Sequence, residues 1–76
     1  MHKVDAFVDI RNQVCSKPVL EVRKRLELLE IGQVLEVLAD SEGKENVLRI
    51  FGKIRKQNIL DVVEKEGHLH IFIQKV

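Results

Sequence analysis

Two hydrophobic periods alternate along this chain, and their order limits the folds it can adopt. Apolar residues at every second position predict strands over 4–10 and 34–39, whereas helical spacing predicts helices over 17–30 and 44–56. Two further alternating runs, 59–65 and 68–75, flank Glu66-Gly67, a pair typical of a tight hairpin turn. The predicted order of elements is therefore β-α-β-α-β-β.

This order predicts an α+β fold, a two-layer α/β sandwich. Right-handed crossovers that continue in one direction place both helices on the same face of a four-stranded mixed sheet, and the other face stays open. In the last strand we expect Leu69, Ile71 and Ile73 to face the helices, with His70 and Phe72 on the open face. Seventy-six residues are too few for two separate cores, so residues 1–76 are expected to form a single domain.

Charge and cysteine content exclude several classes of protein. The net charge is +1, from 13 basic and 12 acidic residues, so the strong field of a dedicated nucleic-acid binder is absent. No apolar run approaches the roughly 18 residues of a membrane span. One cysteine cannot form an internal disulfide, and Met1 is not followed by a signal-like segment, so we expect a protein of the reducing cytoplasm.

The single cysteine, Cys15, lies where the first predicted strand gives way to the first predicted helix. Ser16 is a suitable N-cap, and Pro18 suits the first helical turn. A helix N-terminus favours a thiolate, and Arg11 and Lys17 add positive charge, so a reactive sulfur is predicted. The helix dipole alone lowers a thiol pKa by less than about one unit. The alternative is that Cys15 is a small buried hydrophobe.

The residues around Cys15 form a run that continues into the helix. It reads Asp9-x-Arg11-Asn12-x-x-Cys15-x-x-Pro18-Val19, followed by Val22-Arg23-Lys24. This run resembles the signature of the TusA/SirA family of small sulfur carriers, approximately Asp-x-x-Gly-x-x-Cys-Pro-x-Pro. The similarity continues through 32–37 and Asp40 to the last pair of strands, so residues 1–76 read as one TusA/SirA-like domain.

Two positions depart from the family pattern. Ser16 stands where the family usually has its first proline, and Asn12 stands where it usually has glycine. Asparagine tolerates the left-handed backbone that glycine normally supplies. Serine replaces a rigid residue with a capping side chain, which is expected to keep the helix start while changing the surface that a partner meets.

The resemblance implies a fold and a function. The family's sheet has the order 1-2-4-3, with strand 4 antiparallel to its neighbours, and its cysteine carries sulfur as a persulfide. On this basis Cys15 is the sulfur-carrying residue. The positions expected to support it or to dock partners are Asp9, Arg11, Lys17, Pro18 and Arg23.

The resemblance also implies partners. A cysteine desulfurase or another sulfurtransferase would donate the sulfur, and a second protein would accept it, in tRNA thiolation, cofactor biosynthesis or sulfur oxidation. We expect a monomeric sulfur-transfer protein without a cofactor, rather than a stand-alone turnover enzyme.

Other chemistry at this cysteine finds little support in the sequence. A dithiol exchanger needs a second cysteine, and a cysteine hydrolase needs a histidine base near its nucleophile. The spacing of His2, His68 and His70 relates none of them to Cys15, and we expect the strand histidines to lie far from it. His68 and His70 project to one face of a strand, but a third metal ligand is not evident, so no metal site is predicted.

The alternative function is a non-catalytic module that binds a protein or RNA, either through its open sheet face or through a basic helix face. The basic residues are Arg23, Lys24, Arg25, Arg49, Lys53, Arg55 and Lys56. Interspersed glutamates weaken this field, and the chain has no Trp or Tyr for base stacking, so direct binding of nucleic acid is not expected.

Overall fold

The computed structural model describes residues 3–11, 17–54 and 57–76. Strands and helices alternate along the chain in the predicted order. They are β1 (Ala6–Asp9), α1 (Lys17–Leu28), β2 (Val34–Ala39), α2 (Ser41–Val47), a π-helical segment (Leu48–Ile54), β3 (Asn58–Lys65) and β4 (His68–Gln74).

Within the described residues the four strands form one sheet in the order β1-β2-β4-β3, which confirms the predicted topology. β1 runs parallel to β2, and β4 runs antiparallel to both β2 and β3. One row across the sheet joins Val8, Val37, Ile71 and Val62. The first strand is shorter than the predicted 4–10, although the amides of Asp5 and Ile10 still donate to carbonyl oxygens of Val34 and Leu38.

The core lies between the helices and one face of the sheet. It contains alternate residues of the strands and the inner faces of the helical segments, as strand and helix periodicity require. Its buried members are Val8, Ile10, Val22, Leu26, Leu35, Val37, Ala39, Val47, Phe51, Ile71 and Ile73. Ile71 and Ile73 face the helices as predicted, and the opposite face of the sheet is left without a covering layer in the part of the chain described.

The second helix differs from its predicted form at both ends. It begins at Ser41 rather than Lys44, because the carboxylate of Asp40 caps it by accepting a hydrogen bond from the amide of Gly43 at 2.8 Å. From Leu48 to Ile54 it continues as a wider π-helical segment rather than a regular α-helix. Phe51 of this segment is fully buried in the core.

Tight turns end β3 and α1. Glu66 and Gly67 both have positive φ, 55° and 79°, as a two-residue hairpin turn of the predicted kind requires. α1 ends at Leu28, two residues earlier than predicted, and Gly32 follows with a φ of 94°. The ammonium of Lys75 donates to the carbonyl oxygen of Leu29 at 2.7 Å, so the chain after β4 satisfies the end of α1. No helix in the described ranges is long and apolar enough to span a membrane.

Candidate functional site

The predicted reactive segment connects β1 to α1. Asn12, Cys15 and Ser16 lie outside the described residues, so the N-cap role of Ser16 and the activation of Cys15 stay predictions. The chain on either side is described: Arg11 precedes the segment, and α1 begins at Lys17, as predicted. Since β1 and β2 are parallel, this connection starts at the edge where both strands end. Ligand and reaction sites of open α/β sheets are commonly found at this edge.

Asp9 and Arg11 form a closed arrangement at the end of β1. One carboxylate oxygen of Asp9, Oδ1, accepts hydrogen bonds from the backbone amide and from Nε of Arg11, both at 3.0 Å. The other oxygen, Oδ2, accepts from Nη2 of Arg11 at 2.9 Å. This two-point pairing fixes the guanidinium against the carboxylate and holds the backbone where the strand ends.

The pairing changes the acid–base properties of both side chains. Hydrogen bonds from the side chain and then from the backbone of Arg11 lower the pKa of Asp9 from 3.8 to about 2. The same contact raises the pKa of Arg11. The two charges therefore offset one another. The effect of Arg11 on Cys15, which lies outside the described residues, stays a prediction.

His68 joins this pair from a distant part of the chain. Its Nε2 atom lies 3.0 Å from Nη1 of Arg11, although the two residues are 57 positions apart in sequence. His68 begins β4, and the antiparallel pairing of Ala39 with Leu69 places that beginning at the end of β2. His68 therefore contacts the residue directly before residues 12–16. The expectation that the strand histidines lie far from Cys15 stays a prediction, because Cys15 lies outside the described residues.

The remaining predicted site residues lie on α1. Lys17 and Pro18 are the first two residues of α1. A proline is tolerated there because the first helical amides have no hydrogen-bond partner within the helix. The side chains of both residues lie outside the described part. Arg23 is exposed, and its Nε donates to Oε1 of Glu27 one turn further on at 3.0 Å. Roles for these residues in docking partners stay predictions.

The open face of the sheet carries a second pair of polar residues. Nδ1 of His70 lies 2.6 Å from Oε2 of Glu36, and both side chains are about four-fifths buried, with 23% and 20% exposure. Phe72 is the cross-strand partner of Glu36, and Phe7 lies beyond it on β1 with 48% exposure. His70 and Phe72 thus lie on the open face as predicted. The two strand histidines contact different side chains, His68 that of Arg11 and His70 that of Glu36.

The basic residues of the helices are spread over exposed positions. Arg23, Lys24, Arg25, Arg49 and Lys53 are exposed, whereas Arg55 and Lys56 lie outside the described residues. Nη2 of Arg49 bonds to the amide oxygen of Asn46 at 3.4 Å, and Arg23 pairs with Glu27. Binding of RNA or an acidic protein by this face stays a prediction.

These features define a class of small α/β sandwich proteins with a single cysteine in the connection that leaves the first parallel strand. The family model described as sulfurtransferase TusA matches residues 6–75, which is nearly the whole chain. The chain belongs to the TusA family.

Individual relatives agree with this assignment. The YrkI protein of Bacillus subtilis is 32% identical over 73 residues, which cover 96% of this chain and 97% of that protein. The sulfur carrier protein TusA of Allochromatium vinosum is 29% identical over 75 residues, 99% of each chain. The crystal structure of a SirA-like protein from Desulfitobacterium hafniense superposes with a TM-score of 0.72 and 30% identity, covering 91% of this chain and 95% of that one.

Proposed function

We propose that this protein is a sulfur carrier that holds a sulfane sulfur as a persulfide on Cys15 and passes it to an acceptor protein. The observation that carries the proposal is the family match over residues 6–75, which includes the single cysteine of the chain. That cysteine stands two positions before the first residue of α1, where a thiolate is favoured. A lone thiol of this kind stays free in the reducing cytoplasm, where we expect the protein to act.

The transfer needs no external oxidant or reductant. The Cys15 thiolate attacks the outer sulfur of a donor persulfide, a new S–S bond forms at Cys15, and the S–S bond of the donor breaks. The electron pair of the broken bond leaves on the donor cysteine as a thiolate, and the proton of the persulfide stays with the transferred sulfur. In the second transfer an acceptor cysteine attacks the outer sulfur, and Cys15 leaves as the thiolate.

A carrier of this type requires a donor and an acceptor that approach the same thiol in turn. A cysteine desulfurase or another sulfurtransferase is the class of donor, and the acceptor is a protein with its own nucleophilic cysteine. Because one cysteine cannot resolve the persulfide into an internal disulfide, the sulfur stays on Cys15 until an acceptor docks.

Intact mass spectrometry tests the proposal. After incubation with a cysteine desulfurase and cysteine, or with polysulfide, the protein should gain the mass of one sulfur atom. Cys15→Ala should gain none. Two oxygen atoms add nearly the same mass, so the adduct must also be removed by thiol reductant with release of sulfide, which a sulfinic acid does not allow. An unchanged mass in the wild-type protein, or an equal gain in Cys15→Ala, would rule out the carrier function.

A further inference from the structure

A side-chain bridge joins the end of β1 to the beginning of β4. The guanidinium of Arg11 binds Asp9 through Nε and Nη2, and its Nη1 reaches Nε2 of His68 at 3.0 Å. All three nitrogens of the guanidinium are thus engaged, two with its own strand and one with a strand two places away in the sheet. We call this cluster of Asp9, Arg11 and His68 the Arg11 bridge.

The donor and acceptor at His68 follow from the chemistry of arginine. A guanidinium only donates hydrogen bonds, so Nε2 of His68 must accept, and the proton of the neutral imidazole is on Nδ1. His68 is half-buried at the start of β4. The contact therefore depends on an acceptor atom at one fixed place in an interior strand.

The two partners of Arg11 constrain it in different ways. Asp9 is only two residues before Arg11, so their contact fixes the local backbone conformation at the end of β1. It does not fix the position of that backbone relative to the other strands. His68 ties the same guanidinium to β4, which is paired on both sides by β2 and β3. The residue directly before the Cys15 segment is therefore anchored to an interior strand of the sheet.

We propose that His68 is a positioning residue for sulfur transfer: through Arg11 it anchors one end of the chain segment that carries Cys15, and this anchoring speeds transfer to a docked partner. This inference rests on the carrier function proposed above. Its effect is geometric rather than electrostatic, because Asp9 offsets the charge of Arg11. A small displacement of one reacting sulfur from the other slows the transfer between them.

Two substitutions of His68 distinguish a role as hydrogen-bond acceptor for Arg11 from a role in packing alone. His68→Leu removes the acceptor, and His68→Gln keeps one on a side chain of similar reach. We expect His68→Leu to slow persulfide transfer to a protein acceptor by about tenfold, and His68→Gln to restore most of the rate. His70→Gln is the matched control, because it changes a histidine two residues along the same strand that pairs with Glu36 instead.

Alkylation of Cys15 provides a readout that needs no sulfur partner. The pH profile of the reaction with iodoacetamide reports the thiol pKa, and the rate ratio of iodoacetate to iodoacetamide reports the local charge. Both should be unchanged in His68→Leu, since the bridge adds no net charge. A shifted pH profile or a changed ratio would overturn the geometric role in favour of an electrostatic one.

The Nη1–H resonance of Arg11, which belongs to the group that donates to His68, tests the bridge itself in a 15N-labelled sample. It should lose protection from solvent exchange in His68→Leu but not in His70→Gln. If the wild type accepts no sulfur, the carrier function fails and the positioning role falls with it. If the wild type is loaded normally and His68→Leu transfers sulfur at the wild-type rate, the positioning role alone is overturned.

Discussion

Asp9 and Arg11 meet through two parallel hydrogen bonds, Nε to Oδ1 at 3.0 Å and Nη2 to Oδ2 at 2.9 Å. The side chains are 41% and 32% exposed, so water screens their attraction, and the pair contributes mainly by fixing geometry. Because Asp9 offsets the guanidinium charge, the pair adds little net charge at the end of β1. Because Arg11 lowers the pKa of Asp9, that pKa reports whether the two side chains are paired.

We expect the Asp9 carboxyl to titrate with a pKa of about 2, against 3.8 without the pairing. The folded-state pKa is the lower one, so the stabilisation is complete above pH 3.8 and is lost as the pH falls through about 2. Arg11→Gln should return the pKa towards 3.8, as measured from the carboxyl carbon shift by NMR. Arg23→Gln is the control and should leave it unchanged, and a normal Asp9 pKa in the wild type would contradict the pairing.

The overall topology could be predicted because local patterns and global packing agree. Strand and helix periods alternate in the sequence, and the turn residues Glu66 and Gly67 adopt the positive φ values that a two-residue hairpin needs. The start of the second helix was missed because Asp40 and Gly43 look like chain breakers. In the structure the same two residues make a cap, with the carboxylate of Asp40 accepting from the amide of Gly43.

The candidate site was predictable only in part. The sequence identifies Asp9 and Arg11 as neighbours of the cysteine segment, but spacing alone does not show that their charges offset one another. The contact of His68 with Arg11 depends on sheet register, since Ala39 pairs with Leu69 and so brings the start of β4 to the end of β2. The strand order 1-2-4-3 places β4 next to β2 and so brings His68 near the end of β1. The separation of 57 positions in sequence gives no sign of this contact.

The two glycines of the second helical region should respond in opposite ways to alanine. A Cβ at Gly43 would lie 3.2 Å from Oδ1 of Asp40 and 3.4 Å from Cδ1 of Ile10, so it would disturb both the cap and the core. A Cβ at Gly52 would lie 3.5 Å from Cγ1 of Ile59, an ordinary contact.

Gly52→Ala should therefore stabilise the protein by up to about 1 kcal/mol through the lower flexibility of the unfolded chain. Gly43→Ala should destabilise it by about 1 kcal/mol, the usual cost of a weakened cap. Denaturant unfolding measures both, and each variant is the control for the other. An equal gain in stability from both substitutions would contradict the tight packing at Gly43.

Lys75 should stabilise the end of α1 through its ammonium group, which donates to the carbonyl oxygens of Leu29 at 2.7 Å and Glu27 at 3.3 Å. Lys75→Met keeps most of the aliphatic stem and removes the charge, so it should lower the free energy of unfolding by about 0.5 to 1 kcal/mol. Lys24→Met, on an exposed position of α1, should change it by less than about 0.5 kcal/mol. Equal effects at the two positions would argue against capping by Lys75.

Charge reversal on α1 should show whether Arg23 docks a partner with an acidic surface. Arg23 is exposed and held by Glu27, and its reversal to glutamate costs the helix only a few tenths of a kcal/mol. Arg49→Glu on the π-helical segment is the matched control, because either reversal changes the net charge from +1 to −1, a change of two units. With a desulfurase as donor, Arg23→Glu should slow sulfur loading about tenfold at low salt, and the difference should shrink at high salt. Equal slowing by both variants would indicate a response to overall charge, and normal loading of Arg23→Glu would remove Arg23 from the docking surface.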